Sequence, residues 1–304
     1  MAEHMSEQLK QEQIYVISHG DYQAEFSEMG AALVSLTYKG NDLVERRTHP
    51  RYFSGEILAP WPNRIADGCY KYQGETFQIP TNESARQNAL HGFVFNKIWK
   101  VISDSKSEIT FQIQVSEPDK YPTTLDLKVN YKIGDLGLSS QITATNTGVK
   151  LAPYGASTHP YFLVPGLNSV DDFYLKIGAS KVLLTDSVRL LPKELMNVDS
   201  IDFDFRTPRQ IGPQFIDHAF LQDSNLPREI SIANKFGAGV LISFDESTKW
   251  IQIHTADRNG GPDSRKALAI EPMTCPPDAF NSKIDLVELK PGETHQLTWQ
   301  IQSI

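Results

Sequence analysis

Glu271 and His159, whose side chains can move protons, each stand directly before a proline. Glu271 follows the apolar residues 267–270 and precedes Pro272, and His159 precedes Pro160. A residue before proline is held in extended geometry, and proline cannot donate to a sheet ladder. Both side chains are therefore predicted to lie at the end of a β-strand, fixed at the rim of a sheet.

A carboxylate and an imidazole held at rigid positions can carry out acid–base chemistry. Glu271 is a candidate general base, and His159 is a candidate general acid because the unperturbed pKa of histidine is about 6.5. Judged from its own segment, Glu271 could equally form a salt bridge at the sheet rim. The choice between these two interpretations depends on the other polar residues that interrupt apolar runs.

Arg64 lies in a loop that Pro60 and Pro62 stiffen, beside Trp61 and Asn63. A guanidinium held in place offers several hydrogen-bond donors, and an indole ring offers a flat platform. Both features suit the binding of a polyol or a sugar. The common alternative is a structural arginine that bridges two loops.

His91 stands between the apolar residue Leu90 and Gly92. The glycine allows the backbone to approach a neighbour closely. A single histidine among apolar residues is more often a core residue than a functional one, so His91 is a weaker candidate than His159.

The sequence offers little for metal or nucleophilic catalysis. Its eight histidines form no metal-binding pattern, and Cys69 and Cys275 lie far apart, which predicts reduced thiols and no metal site. Ser157 lacks the Gly-x-Ser-x-Gly turn of many hydrolases. Residues 258–261 lack the lysine of a phosphate-binding loop and are predicted to form a mobile loop beside the site.

The elements that must position these residues are β-strands. Apolar and polar residues alternate with a period of two along residues 125–133 and again along 138–144, which predicts a hairpin. Many short strands with frequent turns and few helices indicate an all-β fold, a large antiparallel sandwich. Further predicted strands span residues 32–38, 70–72, 76–79, 109–115, 173–177, 181–184, 229–233, 239–244, 250–256, 286–289 and 297–301, the last two as a closing hairpin.

Length and charge narrow the functional classes. The 304 residues fit a single domain over 14–304 after a loose leader, 1–13, that lacks the apolar segment of a signal peptide. A net charge of −8 argues against binding to nucleic acid or to an anionic membrane. No apolar stretch is long enough to span a membrane. The prediction is a cytoplasmic protein, monomer or homodimer, that acts on a small molecule.

Four motifs occur together in one order. They are residues 62–65 with Gly68, then residues 90–92, then 159–162, and finally 270–272. Because the four motifs occur in this order on an all-β background, the chain resembles the aldose 1-epimerase (galactose mutarotase) family over nearly its whole length. The run that begins at Glu271 is similar to a bacterial, uncharacterised branch of that family. The resemblance implies a galactose-mutarotase-like β-supersandwich and a reaction without a cofactor.

The resemblance also implies a role for each candidate residue. Glu271 would take the proton from the C1 hydroxyl of a sugar, and His159 would protonate the ring oxygen. His91 would hold the sugar near O5 and C1, while Arg64 and Asn63 would bind hydroxyl groups. Asp217, within the matching segment 216–220, would bind ring hydroxyls; the alternative is a loop aspartate that caps its own backbone.

Two departures from the family pattern concern substrate preference. Residues 253–256 stand where mutarotases tend to carry a Tyr-Thr pair, and residues 273–277 replace a glutamine usual after Glu-Pro. A sister branch of the family acts on hexose 6-phosphates and needs basic residues to bind the phosphate group. Arg258, Arg265 and Lys266 precede Glu271, so that alternative stays open.

Two other functions compete with the epimerase hypothesis. The first is a non-catalytic sugar-binding protein on the same fold, which the presence of both Glu271 and His159 disfavours. The second is a glycoside hydrolase or lyase with Glu271 and Asp217 as paired carboxylates, which such enzymes hold roughly 5–9.5 Å apart.

Overall fold

The structure is a computed structural model that describes residues 12–47, 52–258, 261 and 263–304. Strands account for 51% of the described residues and helices for 4%, which confirms the predicted all-β class. Of the predicted leader, residues 1–11 lie outside the described residues. Glu12 is described, and its carboxylate lies 2.7 Å from the buried guanidinium of Arg47.

Twenty-seven strands are present among the described residues. The first nine are β1 (Ile14–His19), β2 (Tyr22–Ser27), β3 (Ala32–Tyr38), β4 (Asn41–Asp42), β5 (Ile57–Leu58), β6 (Arg64–Ala66), β7 (Cys69–Tyr72), β8 (Glu75–Gln78) and β9 (Asn88–Leu90). The next nine are β10 (Lys100–Asp104), β11 (Glu108–Ser116), β12 (Thr124–Gly134), β13 (Gly137–Asn146), β14 (Ala152–Tyr154), β15 (Ser157–Thr158), β16 (Tyr161–Phe162), β17 (Tyr174–Ile177) and β18 (Ala179–Thr185). The last nine are β19 (Pro192–Asn197), β20 (Arg209–Gln210), β21 (Asp217–Gln222), β22 (Glu229–Ala233), β23 (Gly239–Phe244), β24 (Trp250–His254), β25 (Leu268–Met273), β26 (Val287–Leu289) and β27 (Thr294–Ser303).

Helices are few and short. The described residues contain one α-helical turn, α1 (Ala279–Ser282), and two 3₁₀ turns, Val170–Asp172 and Val198–Ser200. No helix among the described residues has the length and apolar character that crossing a membrane requires. Cys69 and Cys275 are both free.

Two large antiparallel sheets carry the fold. One has nine strands in the order β10-β11-β12-β13-β27-β23-β22-β17-β20, and the other has six in the order β16-β25-β24-β21-β18-β19. A four-stranded sheet, β1-β2-β3-β4, and the pairs β5/β15, β6/β9, β7/β8 and β14/β26 complete the arrangement. The six-stranded sheet and the short pairs position the candidate site residues.

The alternating pattern read from the sequence produces the core. Along β12, every second residue from Leu125 to Ile133 is buried, and their neighbours are more exposed. Side chains from the nine-stranded and six-stranded sheets belong to one apolar cluster, for example Val129 and Ile251. Each fully buried large aliphatic side chain stabilises the folded state by about 1.5–3 kcal/mol. The hydrophobic effect therefore holds the two sheets together.

The predicted closing hairpin is wrong. Strand β26 pairs with β14, while β27 lies between β13 and β23 in the nine-stranded sheet. Both edges of β27 are thus hydrogen-bonded to other strands, and neither is left for β26. The strand pattern located both segments correctly but contained no information about their partners.

The predicted strand end at Glu271 is also wrong, because β25 continues through Pro272 to residue 273. Ile270 and Thr274 donate their backbone N–H groups to the segment that contains His159, on the side away from β24. The direction of the N–H groups alternates along a strand, so the nitrogen of Pro272 faces that same side. Its missing N–H therefore leaves the ladder with β24 intact.

Candidate active site

One cavity of about 170 Å³ gathers the six residues predicted to catalyse the reaction or to bind the substrate. Pockets for drug-sized ligands are roughly 300–1,000 Å³, so this cavity suits a ligand of about one six-membered ring. Its lining consists of the predicted Asn63, Arg64, His91, His159, Asp217 and Glu271, together with Tyr52, Phe53, Leu90, Tyr161 and His254. The structure therefore brings the six predicted residues together.

Glu271 and His159 are in direct contact. The Nε2 atom of His159 lies 3.3 Å from Oε1 of Glu271, and the two side chains are only 6% and 2% exposed. His159 lies in the two-residue link between β15 and β16, at a strand end as predicted. The Ser157 hydroxyl donates to the carbonyl of Pro272 at 2.8 Å, which fixes this link against β25.

Burial acts on this pair in a way that favours uncharged forms. Burial raises the pKa of Glu271 well above its ordinary value; the Asp217 carboxylate raises it further, and Arg64 partly offsets the change. Burial also lowers the pKa of His159 to about 3, with a further contribution from His254. Both shifts favour the form of the pair in which a carboxyl group lies beside a neutral imidazole. One proton transfer across the contact converts it into a carboxylate and an imidazolium.

Several buried polar atoms around the cavity have no hydrogen-bond partner among the described residues. They are Nδ1 of His159, Oε2 of Glu271, Nδ1 of His254 and Oε1 of Gln252. An unsatisfied buried polar group costs about 1–3 kcal/mol. His159, His254 and Glu271 line the cavity, so a ligand with several hydroxyl groups can offer donors and acceptors to these three side chains.

Asn63 and His91 are tied to each other by backbone contacts. The N–H of Asn63 donates to Nδ1 of His91 at 3.2 Å, and the N–H of His91 donates to the carbonyl of Asn63 at 2.9 Å. Because Nδ1 accepts a hydrogen bond, the neutral ring carries its proton on Nε2. Burial, followed by the charges of His159 and Arg64, lowers the pKa of His91 well below its ordinary value. His91 is thus a neutral side chain with Nε2–H as its donor.

Gly92 has a conformation and a neighbour that only glycine tolerates. Its φ is +78°, and a Cβ at this position would lie 1.8 Å from the carbonyl oxygen of Ala59. We expect Gly92→Ala to lower the free energy of unfolding by roughly 2 kcal/mol or more, from the left-handed backbone and the clash together. Chemical denaturation measures this change.

Gly74→Ala is a matched control for that substitution. Gly74 has a similar φ of +83°, but no atom lies within 4 Å of the position of its added Cβ. Only the backbone cost of about 1–2 kcal/mol is expected there. Equal losses in the two variants would show that the contact with Ala59 does not matter.

Asp217 begins β21 and stays ionised inside the cavity. The amide of Gln252 donates to its Oδ1 at 2.6 Å, and Nη2 of Arg64 lies 3.7 Å from its Oδ2. Burial would raise the pKa of Asp217, but His254, Arg64 and the Gln252 hydrogen bond outweigh it and lower the pKa below its ordinary value. Its carboxylate is available to accept hydrogen bonds from hydroxyl groups.

The aromatic platform predicted at Trp61 is wrong. Trp61 is buried in the core, where its indole N–H donates to the carbonyl of Ala89 and its ring packs against Phe93 and Phe280. A large flat ring satisfies a core and a sugar site equally well, and the sequence does not distinguish the two. The aromatic residues of the cavity are instead Tyr52, Phe53 and Tyr161.

The basic residues before Glu271 have different environments. Arg265 donates to Asp171 and Asp257, at 2.6 and 2.8 Å, and to two backbone carbonyls, so its guanidinium is committed to the protein. Arg258 instead stacks over the rings of Tyr52 and Tyr161, at 4.2 and 4.8 Å from their centroids. The predicted mobile loop, 258–261, falls partly outside the described residues.

No group of three or more metal-ligating side chains occurs in the part of the chain that the structure describes. The acid–base pair and the residues able to bind hydroxyl groups line one cavity. These residues together can remove one proton from a bound ligand and deliver another.

The sequence of the chain is similar to those of known proteins. A sequence model of a family described as aldose 1-epimerase matches residues 13–302. The chain is 35% identical over 289 residues to an uncharacterised protein of Escherichia coli K12, YihR, with 94% of this chain and 91% of the relative covered. It is 26% identical over 288 residues to an aldose 1-epimerase of the same organism, with 83% and 80% covered.

The fold also matches solved structures. A GalM/aldose epimerase homologue from C. elegans superposes with a TM-score of 0.84 at 20% identity, and the match covers 96% of this chain and 99% of that one. The predicted galactose-mutarotase-like sandwich is thereby confirmed.

Proposed function

The chain belongs to the aldose 1-epimerase family, and on that premise we propose that it is an isomerase that interconverts the α and β anomers of a hexose. The observation that carries this proposal is the 3.3 Å contact between Glu271 and His159 in a cavity of about one sugar ring. Opening a cyclic hemiacetal requires removal of a proton at one oxygen and delivery of a proton at the neighbouring oxygen. A carboxylate and an imidazolium in contact can do both.

In the proposed mechanism, Glu271 removes the proton of the C1 hydroxyl while His159 protonates the ring oxygen. The bond between C1 and the ring oxygen breaks, and a carbonyl group forms at C1. A carboxyl group and a neutral imidazole remain, which is the uncharged form that burial favours. Rotation about the C1–C2 bond and reversal of both proton transfers close the ring on its other face. The pair thus ends each cycle with the proton it began with, and no cofactor is needed.

The remaining predicted residues hold the sugar in this proposal. Asp217 accepts hydrogen bonds from ring hydroxyls, while Arg64 and His91 donate to oxygens of the sugar. Asn63 positions both residues. Its Oδ1 accepts from the backbone N–H of Arg64 at 3.0 Å and from Nη1 of Arg64 at 3.4 Å, and its own N–H donates to Nδ1 of His91. Such fixed polar groups give a small cavity its preference among sugars.

The proposal is tested by polarimetry or exchange NMR on freshly dissolved α-anomers of glucose and galactose. Purified protein is expected to speed their equilibration, and a Glu271→Gln variant serves as the inactive control. Sugar binding without acceleration would instead favour a carbohydrate-binding protein. Release of nitrophenol from nitrophenyl glycosides, measured in parallel, would favour a hydrolase with Glu271 and Asp217 as paired carboxylates.

The pH dependence of kcat/KM should reflect one proton on the Glu271–His159 pair. Activity is lost when the pH rises through the raised pKa of Glu271, because the pair then holds no proton. It is also lost when the pH falls through the lowered pKa of His159, because the pair then holds two protons. Besides burial, Asp217 raises the pKa of Glu271. In Asp217→Asn we therefore expect the alkaline limb of kcat/KM to move to lower pH. An unchanged limb, or one at higher pH, would contradict this assignment.

A hexose 6-phosphate is the second candidate substrate, and Arg258 is the observation in its favour. Its Nε atom is buried without a partner among the described residues, and its contact with Glu45 is long, at 3.4 Å. A guanidinium held over two rings that line the cavity is a suitable anion ligand. If this candidate is right, Arg258→Gln raises KM for glucose 6-phosphate and leaves KM for glucose unchanged. The exposed Lys266, replaced by glutamine, is the control.

A further inference from the structure

Glu83 forms a two-pronged contact with Arg64 from outside the cavity. Its Oε2 accepts a hydrogen bond from Nε of Arg64 at 3.0 Å, and its Oε1 accepts one from Nη2 at 3.1 Å. Arg86 and Asn88 donate to the same carboxylate, at 2.9 and 2.8 Å. Glu83 is absent from the lining of the cavity, so any effect on a ligand must pass through Arg64.

The Glu83 carboxylate is ionised in this setting. Burial by itself would raise the pKa of Glu83, but the hydrogen bonds from Arg64, Asn88 and Arg86 outweigh it and lower the pKa below its ordinary value. The loop that carries Glu83 is closed by backbone hydrogen bonds to Asn88, at 3.1 and 3.4 Å. The carboxylate is therefore both charged and held in place.

The contact determines which donors of Arg64 remain available. A guanidinium group has five N–H donors. Glu83 takes two of them, and Oδ1 of Asn63 accepts a third at 3.4 Å. Nη2 of Arg64 lies 3.7 Å from Oδ2 of Asp217, which is too long for a hydrogen bond. Two donors of Arg64 and an oxygen of Asp217 are thus left free for a ligand.

We propose that Glu83 is a positioning residue that holds Arg64 apart from Asp217, so that both side chains remain available to the hydroxyl groups of the sugar. This role rests on the proposed function, because it takes a sugar as the ligand. Opposite charges attract strongly in a buried site. Without the Glu83 contact, the guanidinium of Arg64 closes the gap to Asp217, and the direct ion pair consumes the donors and the acceptor that bind sugar.

Glu83→Gln removes the charge and one of the two acceptors while keeping the side-chain size. We expect KM for the hexose to rise about tenfold and kcat to stay within about threefold of the wild-type value, because a contact made equally in the ground and transition states affects KM. Glu83→Asp keeps the charge, and its KM should lie between those of the other two proteins. Progress curves of anomer equilibration at several sugar concentrations give both constants.

Arg86→Gln is the matched control for a purely structural role. It removes one hydrogen bond to Glu83 and disturbs the same loop, but it leaves both bonds between Glu83 and Arg64. We expect wild-type KM and kcat for this variant. If it raised KM as much as Glu83→Gln, loop closure would explain the effect and the positioning role would be overturned.

A double-variant cycle with Asp217→Asn provides the decisive readout. When position 217 carries no charge, Arg64 has no partner on which to collapse. Glu83→Gln should then raise KM less than threefold in that background, although it raises KM about tenfold in the wild type. If Glu83→Gln raised KM by the same factor in both backgrounds, the inference would be overturned.

Failure of the inference and failure of the proposed function give different results. Wild-type protein that does not speed equilibration overturns the proposed function. Wild-type activity combined with a KM for Glu83→Gln within twofold of the wild-type value overturns only the role of Glu83. If thermal unfolding shows that Glu83→Gln does not fold, Glu83→Asp takes its place. The aspartate variant displaces the two acceptor oxygens from Arg64. A wild-type KM in folded Glu83→Asp would then overturn the positioning role.

Discussion

Replacing Glu271 with glutamine is expected to slow anomer interconversion by a factor on the order of 10²–10⁴, the usual contribution of a positioned acid or base. Glutamine has nearly the same size and still accepts a hydrogen bond, but it cannot take up a proton. The side chain is buried and in contact with His159, so no other described carboxylate can replace it at the same position. Polarimetry on a fresh α-anomer measures the loss.

Sugar binding by the same variant is the control. Since the amide preserves the shape of the site, Glu271→Gln should bind hexose with an affinity close to that of the wild type, measured by calorimetry. Loss of activity together with loss of binding would point to a damaged site. Wild-type rates in the variant would contradict the role of Glu271 as the base.

Replacing His159 with asparagine is expected to have an effect of similar size, on the order of 10²–10⁴ in kcat. Asparagine retains a hydrogen-bonding group but cannot deliver a proton to the ring oxygen. Because the acid and the base exchange a single proton, their losses should not multiply. The Glu271→Gln/His159→Asn double variant is expected to be no slower than the slower single variant, within about threefold.

If the two losses in kcat multiplied in the double variant, the two residues would act independently, contrary to the proposal. His19→Asn serves as the control, because the side chain of His19 is 46% exposed and pairs with Asp135 on the surface. Its rate should equal that of the wild type. A slow His19 variant would indicate that histidine replacement affects the protein in some general way.

The sequence predicts the strands better than their partners. The predicted strands 229–233 and 239–244 have the same bounds as β22 and β23, since alternation between buried and exposed positions is a local property of a strand. The pairing of β26 and the continuation of β25 through Pro272 depend instead on which strands lie alongside. That information comes from the tertiary arrangement, and no short segment contains it.

The candidate site also combines features that a local pattern predicts with features that depend on tertiary contacts. Polar residues that interrupt apolar runs, such as Glu271 and His159, were recognisable because they face a cost of burial that only a function or a partner offsets. Phe53 and Glu83 were missed. One is an ordinary aromatic residue, and the other is an ordinary acidic residue in a polar loop; only its 3.0 Å contact with Arg64 distinguishes it. Trp61 was misassigned because its type suits a core equally well.

The position of β27 has a consequence for the order in which the protein can be assembled. β27 is synthesised after every other strand described, yet it lies between β13 and β23. During synthesis on the ribosome, the strands on its two sides can pair among themselves but cannot join into one sheet. Such pairing between distant segments is a slow step in folding. Until β27 is released from the ribosome, the edges of β13 and β23 that will pair with it are exposed, and nascent chains can associate with one another through these edges.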